Sequence, residues 1–124
     1  MYRCALLALA LSAPFAASAQ VQRNFPYNAL RGEITMVNPP DVLLNGKAAR
    51  LAPGARLRDT NNLVQVSGAL IGQRFIAHYT VDTLGLLKDV WVLRAEEKAG
   101  LWPKTADEAA RWSFDPAAQA WTKP

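Results

Sequence analysis

The dipeptide Asn45-Gly46, set between the runs DVLL and KAARL, constrains this chain more than any other feature. A two-residue hairpin loop of type I′ needs positive φ at both central residues, and Asn-Gly is the pair that tolerates it at least cost. Such a loop leaves no freedom of register. Leu44 should face Lys47, Leu43 Ala48, Val42 Ala49 and Asp41 Arg50, which sets opposite charges side by side. Because side chains alternate along a strand, Val42, Leu44, Ala49 and Leu51 share the core face, with Lys47 at its rim. In the following run Leu57 points inward, while Arg56 and Arg58 share the opposite face.

The same pattern extends from Leu30 to Leu93: short β-rich runs separated by Gly46, Gly54, Gly68, Gly72 and Gly85. Strands are expected near Leu30–Val37, Asp41–Leu44, Lys47–Leu51, Ala55–Asp59, Leu63–Ser67, Arg74–Val81 and Leu86–Leu93. None has the length or spacing of an amphipathic helix. The fold class is therefore mainly β, a small antiparallel barrel or a sandwich-like sheet, with a short helical C-terminal tail.

The first residues, MYRCALLALALSAPFAASAQ, have a basic start at Arg3, an apolar run from Ala5 to Leu11, a helix-breaking Pro14 and small residues Ala17-Ser18-Ala19. These are the parts of a cleaved secretory signal peptide, so a periplasmic location is expected. The apolar run is too short to span a bilayer, and no later run approaches the roughly 20 residues a membrane helix needs. Cys4 precedes the apolar run, whereas a lipid-modified cysteine follows it. Cleavage after Ala19 leaves one domain's worth of chain with no cysteine. Disulfides, thiolate metal sites and catalytic cysteine are then excluded, and the fold must rest on burial and hydrogen bonds. The net charge of +4, or +3 without Arg3, is too small to indicate a partner.

The chain thus divides into a signal peptide (1–19), an extended lead-in (20–29), a small β-barrel domain (30–95) and a tryptophan-bearing tail (96–124). In the tail, Thr105 and Glu108 form a capping box that predicts a helix from about Ala106 to Trp112. Asp115-Pro116 predicts a second helix start. Trp102, Trp112 and Trp121 give the tail three of the four tryptophans.

The elements Gly32-Glu33-Ile34, Asn45-Gly46, Leu51-Ala52-Pro53-Gly54 and the closing hairpin Arg74 to Leu93 resemble a group of small exported proteobacterial proteins. Their layout is also similar to bacterial OB-like domains. The resemblance covers Leu30 to Leu93, implies an OB-like small barrel, and brings no activity and no catalytic residues.

Three features are candidates for function. The only histidine, His78, falls opposite Asp89 if Asp82-Thr83-Leu84-Gly85 is a four-residue loop. That is half of a hydrolytic triad with no nucleophile in a suitable context, so a stabilising cross-strand contact is preferred. No metal site is expected from a single histidine, and no cofactor motif is present. Lys47, Arg50, Arg56, Arg58 and Arg74 form a basic set that suits an anionic lipid or glycan surface better than nucleic acid, which is not expected as a partner. Solvated strand faces are the preferred account of it. Trp91, Trp102, Trp112 and Trp121 are candidates for contacting an envelope protein, unless the tail packs on its own barrel. In the expected register the outward face of the final hairpin carries Ile76, Leu87, Trp91 and Leu93 beside His78, too apolar to be left bare. The tail is the nearest cover. A non-catalytic binding or structural module is the expected function, followed by an accessory protein on an anionic envelope surface, and last a His-dependent hydrolase.

Overall fold

The computed structural model describes residues 22–124, and the signal peptide expected over residues 1–19 lies outside the described residues. Eight strands and two short helices follow in order: β1 (Leu30–Asn38), β2 (Asp41–Leu44), β3 (Lys47–Arg58), β4 (Val64–Gln65), β5 (Arg74–Val81), β6 (Leu87–Val92), α1 (Ala95–Ala99), α2 (Ala106–Arg111), β7 (Ser113–Asp115) and β8 (Ala120–Thr122). A 3-10 turn, Ser67–Leu70, separates β4 from β5. The main sheet is mostly antiparallel, in the order β2-β1-β5-β6-β3-β4, while β7 and β8 make a small hairpin of their own. Since β2 also pairs with β3, the contacts β1–β2–β3–β6–β5–β1 run in a ring. Its one parallel member is β3 beside β6.

The Asn45-Gly46 turn forms as its chemistry requires, with φ of 54° and 81°. The β2–β3 register is the expected one, Asp41 opposite Arg50 through Leu44 opposite Lys47. Asn45 also ties this turn to β1: its side-chain oxygen accepts from the Glu33 N–H at 2.9 Å and its own N–H donates to the Glu33 carbonyl at 2.8 Å. A Cβ on Gly46 would meet nothing within 4 Å, so only backbone strain opposes a larger residue there. Gly46→Val should therefore cost more than about 1 kcal/mol in chemical denaturation. A neutral result would mean that the turn relaxes to another type.

The primary core lies inside the ring. Ile34, Met36, Val42, Leu51, Leu57, Ala77, Tyr79, Leu87 and Val90 are buried together, with Leu44, Ala49 and Phe75 packed against them. Val42, Leu51 and Leu57 are thus where strand alternation put them. The two expected runs Lys47–Leu51 and Ala55–Asp59 are instead one strand, because Gly54 takes a φ of 76° and lets β3 bend without ending. Of the expected Leu63–Ser67 strand only Val64–Gln65 pairs, and its end winds into the 3-10 turn.

The tail corrects one expectation and meets another. α2 begins where the Thr105 hydroxyl accepts from the Glu108 N–H at 3.2 Å. No helix starts at Asp115-Pro116. The Asp115 carboxylate instead accepts from the Ala117 and Ala118 N–H groups, turning the chain so that β7 and β8 pair with Phe114 opposite Trp121. Among the described residues no helix is long and apolar enough to cross a membrane.

Candidate functional site

The final hairpin departs from its expected register by two residues. Asp82 N–H bonds the Leu86 carbonyl, which leaves a three-residue turn with Gly85 at a φ of 79°. A bulge at Lys88 adds a second step, between the pairs Val81–Leu87 and Thr80–Asp89. The Asp82 carboxylate fixes the turn by accepting from the Leu84 and Leu86 N–H groups, each at 2.9 Å. His78 therefore stands opposite Trp91, not Asp89. Asp89 belongs to Thr80, which donates its hydroxyl proton to the carboxylate at 3.1 Å. The proposed His78–Asp89 dyad does not form. A slip of two keeps side chains on their faces, so Ile76, His78, Trp91 and Leu93 still share the outer side. Only Leu87, beyond the bulge, turns into the primary core.

That outer side is covered. Phe25, Ala29, Trp91, Leu93, Trp102 and Trp121 make a second buried cluster, with Ile76, Ala109, Trp112 and Phe114 packed on it. The tail supplies half of this cover, as expected. The other half comes from the lead-in, which is not a loose arm: the Phe25 N–H donates to the Gln119 side chain at 2.8 Å, and the Ala29 carbonyl accepts from the Trp102 indole at 2.8 Å. As surfaces for a partner, Trp91, Trp102 and Trp121 are thereby withdrawn, since each is spent in the second core. Trp112 alone of the four keeps a partly open ring.

His78 lies at the centre, only 1 % exposed. Its ring stacks on Trp102 with centroids 4.2 Å apart and meets Phe25 at 88°, centroids 4.4 Å apart. The Arg31 Nε–H donates to its Nε2 at 3.3 Å. An imidazole that accepts at Nε2 carries its proton on Nδ1, which has no hydrogen-bond partner among the described residues. Burial, with the Arg31 and Arg23 charges, pushes its pKa down to about 3. The ring is neutral at any ordinary pH, and its only lone pair is already engaged.

Around it runs a polar frame that the sequence did not advertise. Arg31 also donates to the carbonyls of Glu97, Lys98 and Gly100 at 2.9, 3.1 and 2.6 Å, capping the end of α1. Arg23, buried beside it, forks onto the Glu97 carboxylate and donates to the Asp59 and Val92 carbonyls at 2.9 and 2.8 Å. Burial works against the Glu97 charge, but Arg23, the Arg94 N–H and both guanidinium charges hold its pKa below the ordinary range. A cleft of about 280 Å³ opens against this frame, walled by Arg23, Phe25, Arg31, Glu97, Leu101 and Trp102. Of its charged groups, Arg23 and Glu97 pair with each other and Arg31 is held by backbone carbonyls. The only signals for this frame were Arg23, Phe25 and Arg31 themselves, and an aromatic flanked by Asn24 and Pro26 reads as a loop.

Three of the five basic residues have acidic neighbours. Arg50 pairs with Asp41 at 3.3 Å and Arg74 with Glu33 at 3.7 Å, both largely exposed and worth little to stability. Arg58 reaches Asp89 at 4.0 Å and lies over the Trp91 ring, 5.7 Å from its centroid. Lys47 and Arg56 are exposed near opposite ends of β3. No group of three or more His, Cys, Asp or Glu side chains able to hold a metal occurs among the described residues. Comparison with protein-family models, with curated proteins and with solved structures found no match.

Proposed function

We propose that this chain is an exported, periplasmic, non-catalytic binding or structural module built on an OB-like barrel. The barrel is supported by the ring of pairings with β3 and β6 as its one parallel junction. Export is supported by the basic start, apolar run and Ala17-Ser18-Ala19 of the leader. The observation that carries the non-catalytic reading is the state of His78: its Nε2 lone pair is held by Arg31 and its faces by Phe25 and Trp102. A general base must reach the proton it removes, and this one, though it lines the cleft beside Arg31, is 1 % exposed with its acceptor lone pair already taken.

One preparation tests both parts. Protein taken from the periplasm of the native host should have a mass beginning at Gln20 with no lipid, and a full-length cytoplasmic product would refute export. The same material, and a His78→Phe variant that keeps the ring, should turn over no ester, amide or phosphate ester above buffer. Turnover by the parent that vanishes in a folded His78→Phe protein would establish a hydrolase instead.

A further inference from the structure

A second concavity lies where three distant segments meet: the lead-in, the turn after β3 and the end of β6. It is an open cleft of about 710 Å³ with Asn24, Arg58, Asn61, Asn62, Trp91 and Arg94 in its wall. The turn is fixed by its own carboxylate. Asp59 accepts from the Asn61 and Leu63 N–H groups, each at 2.9 Å, and from the Gln65 side chain at 2.8 Å, while Asn62 takes a φ of 63°. Arg23 donates to the Asp59 carbonyl at 2.9 Å and Arg94 to the Thr60 carbonyl at 2.5 Å, which ties the turn to the lead-in and to the start of α1.

The groups this wall leaves unbonded select its ligand. The side chains of Gln22, Asn24, Asn61 and Asn62 are exposed and make no hydrogen bond among the described residues. The Arg58 guanidinium makes none either: it lies over the Trp91 ring, 5.7 Å from the centroid, and Asp89 at 4.0 Å is beyond hydrogen-bond reach. None of its nitrogens is sealed from solvent. A planar fork of donors is thus seated on an indole and left open. No carboxylate lines the cleft among the described residues, and the acids that touch its wall are engaged: Glu97 by Arg23, Asp59 by its own turn and Asp89 by Thr80.

One guanidinium without a hydrogen bond suits a single negative charge, best delivered by a carboxylate that the fork takes with two parallel bonds. A phosphate dianion would want a second such cation, and Arg23 is already neutralised by Glu97. The amides add a further demand. A carboxamide donates and accepts from one group, as a sugar hydroxyl does, so four of them beside the fork suit a hydroxylated ring. We propose that this cleft binds an acidic sugar of the uronic acid kind, its carboxylate on the Arg58 guanidinium and its ring hydroxyls on the side-chain amides of Asn24, Asn61 and Asn62. The proposal rests on the reading of the chain as a binding module and names the chemistry of its ligand.

The test is titration of the 15N-labelled exported protein with galacturonic acid, following the side-chain amide resonances of Asn61 and Asn62. Galactose, which differs only in lacking the carboxylate, and inorganic phosphate serve as controls. Galacturonate should shift both amides saturably with a Kd below about 5 mM, and each control should bind at least about fivefold more weakly. Arg58→Lys keeps the charge but not the fork and should weaken galacturonate about fivefold or more. Asn61→Ala removes an exposed side chain with no bond to lose, leaves the Asp59 turn intact, and should weaken it about threefold, which keeps the test decisive should Arg58→Lys disturb the seat on Trp91. No saturable shift, a control that binds as tightly as galacturonate, or a Kd that neither variant changes would each overturn the proposal. Those failures are separable from failure of the module reading, which shows instead as His78-dependent turnover.

Discussion

Trp102→Ala should lower stability in urea by about 3–5 kcal/mol, the largest effect expected of any single substitution in the tail. Trp102 is 5 % exposed and touches nearly every ring of the second core: stacked on His78, and edge-on to Phe25, Phe114 and Trp121. Its removal opens a cavity that four rigid rings cannot collapse into. It also strips the Ala29 carbonyl of its donor. Trp102→Phe separates these contributions, because it keeps most of the packing and should cost only about 1–2 kcal/mol through the lost hydrogen bond and the smaller ring. A change below about 1 kcal/mol for the alanine variant would mean that the tail contributes no core.

The second large effect is a loss of stability in mild acid, well above the range of carboxylates. Unfolded, His78 takes a proton near its ordinary value of 6.5, whereas in the folded protein it resists until about 3. The unfolded state therefore binds more protons in between, so this contribution is complete above about pH 6.5 and declines as pH falls toward 3. The groups facing the ring reinforce the sign, since Arg31 and Arg23 are cations and the Glu97 carboxylate of the same cleft is held by Arg23. Glu97 and Asp59, both depressed, add losses of the same direction only at lower pH, where carboxylates begin to protonate in the unfolded chain. Between pH 7 and pH 5 the effect belongs to His78 and should amount to on the order of 2 kcal/mol. Denaturation midpoints at the two pH values should converge in His78→Phe. A parent protein equally stable at both would show that the imidazole is not neutral in the fold.

The sequence was most informative where one residue decides the backbone. Asn45-Gly46 set the β2–β3 register residue by residue, and Thr105 with Glu108 placed α2. It was least informative where two outcomes differ by one inserted residue. The strand Arg74–Val81 was legible, but its partner's register turned on a three-residue turn and an unmarked bulge at Lys88, and that moved Asp89 from His78 to Thr80. Face assignment survived, which is why the apolar outer side and its cover by the tail were foreseeable while the dyad was not. The frame of Arg23, Arg31 and Glu97 was hidden for another reason: its members lie 66 to 74 residues apart, and no local pattern links a lead-in to α1.

That separation bears on when the protein can acquire its shape. Phe25 bonds Gln119 across 94 positions, and Ala29 bonds Trp102 across 73. A chain emerging N-terminus first can assemble the ring of strands once Val92 has appeared, but the lead-in must wait for Glu97 and Trp102, and its Phe25–Gln119 bond for residue 119. Until Trp102 is out, His78, Trp91 and Leu93 face water. The order of synthesis thus leaves the second core open after the ring of strands can pair, an interval in which a holding chaperone would find an aromatic surface.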